Sequence, residues 1–150
     1  MLVVLGALGG CKKREPGPEG DIVATLTAKT IDGADFDPSV LRGKPGLVMF
    51  VKATCPHCIE EMPLAQQVAR EKDANVVAVF VQSNPKNAEV VVENTQFQAP
   101  ALIDDGSLAT RYKVSSVPYT VVIDAKGRST EVLRGAHGAS RLADALDDAR

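Results

Sequence analysis

The chain has 150 residues, of which 45% are hydrophobic and 24% charged, and its formal net charge at pH 7 is −2. This length and composition are typical of a soluble domain with one hydrophobic core. The absence of a basic stripe argues against a nucleic-acid partner, and the three cysteines are too few for a disulfide framework.

The first eleven residues predict a lipoprotein signal segment. Residues 1–10 are apolar, but a membrane-spanning helix needs about 20 such residues, so we interpret the run as part of a signal-peptide core. The motif Leu8-Gly9-Gly10-Cys11 resembles the lipobox of bacterial lipoproteins, in which the cysteine receives the lipid. No Lys or Arg precedes the run, so we expect the true start to lie upstream. An incidental cysteine in a frayed apolar N-terminus is the alternative.

A polar segment and a short hairpin follow. Residues 12–20 are charged and rich in Pro and Gly, a composition that cannot bury apolar area and that predicts a flexible tether. Residues 22–26 alternate apolar and polar side chains and predict a strand. The dipeptide Asp32-Gly33 is a turn signal, after which Phe36 is expected on a short return strand.

Strands and helices alternate along the rest of the domain, which we expect to span residues 21–150. The apolar run 47–51 predicts a central strand buried on both faces, and Pro63 should kink the helix that follows. The later predicted elements are a helix over 56–72, a strand over 76–81, a helix over 85–97, a strand over 101–103, a helix over 107–112, strands over 119–123 and 130–133, and a last helix that Ser140 caps and that runs to residue 149. This order predicts an α/β domain with a central mixed β-sheet flanked by helices.

Cys55 and Cys58 stand three residues apart, where the central strand gives way to a helix. At a helix start, free backbone N–H groups and the positive end of the helix dipole stabilise a thiolate, so Cys55 is the candidate nucleophile. Cys58 follows almost one turn later, within reach of the first sulfur. Pro56 suits the first helical position, and His57 can add positive charge near both sulfurs. The pattern predicts a redox-active pair.

Three other roles for the cysteine pair fit the sequence less well. A zinc site requires about four ligands, and beyond the pair the sequence offers only His57, His137 and the candidate lipid acceptor Cys11, so we expect no metal. Covalent haem needs a His directly after the second cysteine, where Ile59 stands. A purely structural disulfide closing so small a loop would restrict little chain entropy.

Three segments together resemble the thioredoxin-like TlpA/ResA group of thiol–disulfide oxidoreductases. The first is the run from Phe50 through Cys55-Pro56-His57-Cys58 to Pro63, which resembles the active-site strand and helix. Residues 30–45 resemble the group's N-terminal hairpin, and residues 114–128 its cis-proline loop and following hairpin. The match covers residues 21–150 and implies a thioredoxin fold with an N-terminal β-hairpin and an inserted helix–strand unit over 85–103.

The resemblance also implies residues that bind the substrate. Pro118 would be the cis-proline that faces the disulfide, since an X–Pro bond adopts the cis form at a cost of only about 0.5–1 kcal/mol. The backbone of Val117 would pair with an extended substrate chain. Pro56 and His57, between the two cysteines, would complete this surface. An ordinary trans proline at a strand start is the alternative for Pro118.

Glu61 lies three residues after Cys58 on the same side of the predicted helix. It matches a glutamate that the TlpA/ResA group carries near its active site, and a partly buried carboxyl there could exchange a proton with Cys58. The alternative is a solvated glutamate that favours an early helical turn, like its neighbour Glu60.

The function that these residues predict is dithiol–disulfide exchange with protein thiols and disulfides in the bacterial cell envelope. Cys55 forms the mixed disulfide and Cys58 resolves it. No cofactor is needed beyond the redox-active disulfide, and we expect a membrane thiol–disulfide electron carrier as partner. The lipobox-like motif implies a lipid anchor on Cys11 and a domain facing the periplasm or the outside.

The direction of exchange stays open on the sequence. The best-known role of the TlpA/ResA group is reduction of apocytochrome c cysteines in cytochrome c biogenesis. The Pro56-His57 dipeptide instead resembles the oxidising DsbA group, which favours a general oxidase or isomerase of envelope proteins. A thiol peroxidase and a non-catalytic metal-chaperone module are further alternatives.

Overall fold

A six-stranded mixed sheet organises residues 14–150, the part of the chain that the computed structural model describes. The strands are β1 (Lys29–Thr30), β2 (Gly46–Val51), β3 (Asn75–Phe80), β4 (Ala101–Ile103), β5 (Tyr119–Ile123) and β6 (Ser129–Arg134). Their order across the sheet is β1-β4-β3-β2-β5-β6. The β2–β3 and β3–β4 pairs are parallel and the other pairs antiparallel, which confirms the predicted mixed sheet. The predicted signal segment with Cys11 lies outside the described residues.

Helices cover both faces of the sheet. They are α1 (Ile22–Thr25), α2 (Pro56–Glu71), α3 (Pro85–Thr95), α4 (Ser107–Arg111) and α5 (Ala139–Asp148), with a 3₁₀ turn at Pro38–Leu41. Helix α2 contains Pro63 and is unbroken across it. The bounds of α2 to α4 and of β2 to β6 agree with the prediction to within two residues.

The central strand β2 is buried at every position, as its continuous apolar run predicts. Because successive side chains point to opposite faces, Met49 packs in the cluster that contains α2, α3 and α5. Phe50 packs in the opposite cluster with α1 and α4. The carboxyl end of this rigid strand leads into Cys55, so the two-sided core fixes where the cysteine pair stands.

The strand predicted over residues 22–26 is wrong, because this segment forms helix α1. The Asp21 side chain accepts a hydrogen bond from the Ala24 N–H at 3.0 Å and caps the first turn. Ile22, Val23 and Leu26 are all buried, and their spacing places them on one side of a helical turn. In a strand, Ile22 and Val23 would face opposite sides of the sheet.

The predicted hairpin forms only in part. Gly33 adopts a left-handed φ of 87° in the turn, and the Thr30 N–H donates to the Ala34 carbonyl oxygen at 2.8 Å. The return arm contributes one isolated bridge, between Lys29 and Asp35, so the short return strand predicted at Phe36 is wrong. Strand β1 instead takes its ladder hydrogen bonds from β4.

Two further segments bear on the prediction. The described part of the expected tether contacts the domain: Glu15 forms a bridge with Val132 of β6 and an ion pair with Arg134. Ser140 was expected to cap the last helix, and this is wrong because α5 begins at Ala139. Gly138 is its N-cap and provides no side-chain hydrogen bond.

Candidate active site

The cysteine pair lies at the junction of β2 and α2. Cys55 is the N-cap residue of α2, with extended backbone angles of −99° and 107°, and its Sγ accepts a hydrogen bond from the Cys58 N–H at 3.2 Å. Pro56 occupies the first turn, where backbone N–H groups have no partner within the helix, so the missing N–H of proline costs no hydrogen bond. The two cysteines form a disulfide across a Cα–Cα distance of 5.2 Å. A thiolate on Cys55 would therefore meet a backbone donor and the positive end of the helix dipole.

The two cysteines differ in their access to solvent. Cys58 is fully buried and belongs to the core cluster beneath α2, whereas Cys55 is only half-buried. Pro56 and His57 are exposed beside the disulfide, and the His57 ring lies 3.8 Å from the Glu60 carboxylate. An external thiol or disulfide can therefore approach the Cys55 sulfur but not the Cys58 sulfur.

The loop before β5 faces the Cys55 sulfur. The Val117–Pro118 peptide bond is cis, as the resemblance predicts, and Pro118 is buried. The Val117 carbonyl oxygen lies 3.9 Å from Cys55 Sγ. Among the described residues, the N–H groups of Ser115, Ser116 and Val117 make no backbone hydrogen bond. These groups are free to pair with an extended chain laid across the disulfide.

Ser83 holds the loop that leads into Cys55. Its Oγ accepts a hydrogen bond from the Ala53 N–H at 3.1 Å and donates one to the Val81 carbonyl oxygen at 3.0 Å. The sequence interpretation did not single out Ser83. Nothing near it in the chain indicates this role, because its partner at the active site lies 30 positions away.

Glu61 is buried on α2, with 1% of its surface exposed, and is therefore unlike its exposed neighbour Glu60. Its Oε2 accepts a hydrogen bond from the His137 N–H at 2.7 Å, while Oε1 has no hydrogen-bond partner within the described region. Burial raises the pKa of the Glu61 carboxyl, and the His137 N–H and the nearby His137 ring oppose this rise. A buried carboxyl with one unpaired oxygen is poised to hold a proton.

His137 is a second residue that the sequence interpretation did not assign to the site. Its ring Nε2 lies 2.9 Å from the Arg134 carbonyl oxygen, within hydrogen-bond distance. This contact braces the turn between β6 and α5, from which the His137 N–H reaches Glu61. The sequence offered His137 only as a possible metal ligand, and its 76-residue separation from Glu61 gave no local signal.

Residues 14–150 contain no group of three or more His, Cys, Asp or Glu side chains arranged to hold a metal ion. Over the same residues, no helix is both long enough and apolar enough to cross a membrane. The reactive group at the site is the Cys55–Cys58 disulfide itself.

Fold and site together define a thioredoxin-like protein with a redox disulfide at a helix start. The family model of the AhpC/TSA family matches residues 20–131, and the chain belongs to this family. The predicted resemblance to the TlpA/ResA group is also confirmed. The chain is 26% identical over 125 residues to the thiol–disulfide oxidoreductase ResA of Oceanobacillus iheyensis, covering 81% of this chain and 65% of ResA.

One mycobacterial sequence and one mycobacterial crystal structure are similar over much of the chain. The soluble secreted antigen MPT53 of Mycobacterium tuberculosis is 34% identical over 109 residues, covering 71% of this chain and 63% of MPT53. A crystal structure of a secreted M. tuberculosis disulfide oxidoreductase homologous to E. coli DsbE superposes with a TM-score of 0.74 at 29% identity, covering 86% of this chain and 99% of that one. The chain spans 57–63% of the length of the first curated relatives it matches.

Proposed function

We propose that this protein is a thiol–disulfide oxidoreductase of the cell envelope that exchanges the Cys55–Cys58 disulfide with protein substrates. The observation that carries the proposal is the pairing of a half-buried Cys55 with a fully buried Cys58 at the start of α2. The free backbone of Val117 beside Cys55 supplies a surface for the substrate chain. The relatedness to thiol–disulfide oxidoreductases supports the same activity.

In the reductive direction, two successive exchanges transfer two electrons to the substrate. The Cys55 thiolate attacks one sulfur of a substrate disulfide, and the other substrate sulfur leaves as a thiolate. The Cys58 thiolate then attacks Cys55 Sγ, which releases the second substrate thiolate and forms the Cys55–Cys58 disulfide. Oxidation of a substrate dithiol is the reverse sequence.

Glu61 is proposed to receive the Cys58 proton as that thiol becomes the attacking thiolate. Cys58 is fully buried, so its proton has no direct exit to solvent. Glu61 lies three residues further along the same helix, and its Oε1 has no hydrogen-bond partner among residues 14–150. Its raised pKa suits a group that accepts a proton and later returns it.

We place the protein at the envelope with Cys11 as the lipid attachment site. Support comes from the lipobox-like Leu8-Gly9-Gly10-Cys11 and from secreted relatives. Electrons would come from a membrane thiol–disulfide carrier. The test is membrane fractionation of the protein expressed with its native upstream sequence, with Cys11→Ala as control. Recovery of both proteins wholly in the soluble fraction would exclude the anchor.

The direction of exchange is proposed as reductive, with apocytochrome c cysteines as substrate and a general oxidase or isomerase as the alternative. The reduction potential of the Cys55–Cys58 pair decides between them, measured by equilibration with glutathione buffers and alkylation of the free thiols. A potential near that of thioredoxin, about −270 mV, supports the reductive role, and one near that of DsbA, about −120 mV, supports the oxidative role. Absence of any exchange with glutathione would refute the oxidoreductase assignment.

A further inference from the structure

A cleft of about 510 Å³ is lined at one point by Val117, the residue whose carbonyl oxygen contacts the reactive sulfur. Its lining includes Lys52, three residues before Cys55, and the segment from Lys113 to Val117. The Val117 carbonyl oxygen, 3.9 Å from Cys55 Sγ, marks the end of the cleft nearest the disulfide. A substrate chain that pairs with Val117 can therefore continue along this cleft.

The cleft carries positive charge although the chain as a whole is negative. Lys52 and Lys113 both line it, and the side-chain ammonium group of neither forms an ion pair or a hydrogen bond with another described residue. The only acidic residue in its lining is Asp104, which is 7% exposed and whose oxygens accept the Leu108 and Ala109 N–H groups at 3.0 and 2.9 Å. Asp104 therefore caps α4, while the two ammonium groups stay available to a ligand.

The walls of the cleft suit an extended polypeptide. Ser115 and Ser116 are exposed, and their backbone N–H groups are unpaired among the described residues. The wall segment from Lys113 to Val117 is five residues long. An extended partner advances about 3.3 Å per residue, so residues two to four positions from the substrate cysteine would lie over the cleft.

We infer that this cleft binds an acidic side chain of the substrate protein, two to four residues from the cysteine that reacts with Cys55. The inference rests on the proposed exchange function and adds to it a preference between substrates. Lys52 and Lys113 supply the charge, and the free backbone from Ser115 to Val117 holds the chain in register. Aspartate or glutamate near the target cysteine would then mark a preferred substrate.

The test uses short peptides whose single cysteine carries a 5-thio-2-nitrobenzoate group through a disulfide. The Cys55 thiolate of the reduced full chain attacks the peptide sulfur, which forms the mixed disulfide and releases the coloured thiolate. Cys58 then displaces the peptide thiol, so one dithiol is oxidised for each disulfide reduced. Peptides carry Glu or Gln either three residues before or three residues after the cysteine, and control peptides carry Glu seven residues away.

For the unchanged protein at low ionic strength, we expect one of the two near positions to give a Glu-to-Gln rate ratio of about three to ten. The ratio should fall to about one in the Lys52→Gln/Lys113→Gln double variant. The matched control is Lys86→Gln, an exposed position on α3 away from the cleft, which should keep the ratio. Comparing ratios cancels any effect of Lys52 on the Cys55 thiolate that all peptides share.

Each remaining outcome overturns a defined part of the inference. Equal rates for Glu and Gln peptides in the unchanged protein would refute the cleft assignment while leaving the exchange function intact. If Glu seven residues away accelerates the reaction as much as Glu three residues away, the protein attracts anions in general, and the assignment of the acidic side chain to the cleft is overturned. Oxidised glutathione carries acidic groups but is not an extended protein chain, and its reaction rate is compared with that of uncharged hydroxyethyl disulfide. If the double variant loses as much of this rate ratio as it loses for the Glu peptides, the polypeptide as the occupant is overturned. Failure of every peptide to react would refute the exchange function itself.

Discussion

Replacing Cys58 with Ser should turn a short-lived mixed disulfide into a stable one. In the unchanged protein, the mixed disulfide on Cys55 has an internal exit, because the two cysteines are close enough to bond without movement of the backbone, at a Cα–Cα distance of 5.2 Å. The serine hydroxyl is nearly the size of the thiol but cannot attack a disulfide. The complex can then decay only through external thiols.

The size of the effect follows from the local concentration of the Cys58 thiolate. Well-oriented intramolecular pairs reach effective molarities of about 10⁵ M or more. Even a value of about 10 M would exceed about 1 mM of external thiol by a factor of roughly 10⁴. We therefore expect the lifetime of the mixed disulfide to increase at least about 10³-fold.

The assay is acid-quenched mixing of the reduced Cys58→Ser protein with a disulfide-bonded substrate, followed by intact-mass measurement of the adduct. The matched control is Cys55→Ser, which leaves only the fully buried Cys58 sulfur and should form almost no adduct. Adduct lifetimes within tenfold of each other for the unchanged and Cys58→Ser proteins would refute the role of Cys58 as the resolving thiol. Equal adduct yield from both serine variants would refute the assignment of Cys55 as the attacking residue.

Three further predictions concern buried polar groups, and each is checked by urea denaturation. Because burial raises the pKa of Glu61 above 4.5, stability should fall as the pH rises from about 4.5 through the raised pKa, and Glu61→Gln should remove this slope. Arg141→Leu leaves the Glu131 carboxylate, which is 1% exposed, without its ion pair. We expect a loss of about 2–4 kcal/mol in the free energy of unfolding, below the usual 3–5 kcal/mol because Arg141 is partly exposed. Leucine at both positions should cost under about 1 kcal/mol. Thr120→Val removes a hydroxyl that is buried without a partner in the described structure and should stabilise the protein by about 1 kcal/mol.

The sequence was most informative where the structural signal is local. The continuous apolar run of β2 and the start of α2 at Cys55-Pro56 depend on neighbouring residues, and both were predicted correctly. The segment of α1 was misjudged because five residues with Ile22, Val23 and Leu26 apolar fit both a strand and a helical turn. In the structure, the Asp21 side chain caps this segment and it is helical. The apolar pattern alone did not distinguish the two conformations.

The part of the site that could not be predicted consists of contacts between distant segments. Glu61 was identified by resemblance, but the His137 N–H that pairs with its carboxyl lies 76 positions away. Ser83 reaches Ala53 from the end of the neighbouring strand. No periodicity or motif within a single segment encodes such pairs, because they exist only after β2, β3 and the β6–α5 turn come together.

The contact between Glu15 and β6 limits how far the domain could stand from a lipid bilayer. Among residues 14–150, the first contacts with the folded part are the ion pair of Arg14 with Asp148 and the hydrogen bond of the Val132 N–H to the Glu15 carbonyl oxygen at 3.0 Å. If Cys11 carries the proposed lipid, three Cα–Cα steps of about 3.8 Å separate the lipid from the first of these contacts, a reach of at most roughly 11 Å. A domain attached at that distance would be confined to a thin layer above the lipid headgroups. Membrane-bound carriers would be accessible to it, and free substrates would have to diffuse to the surface to meet Cys55.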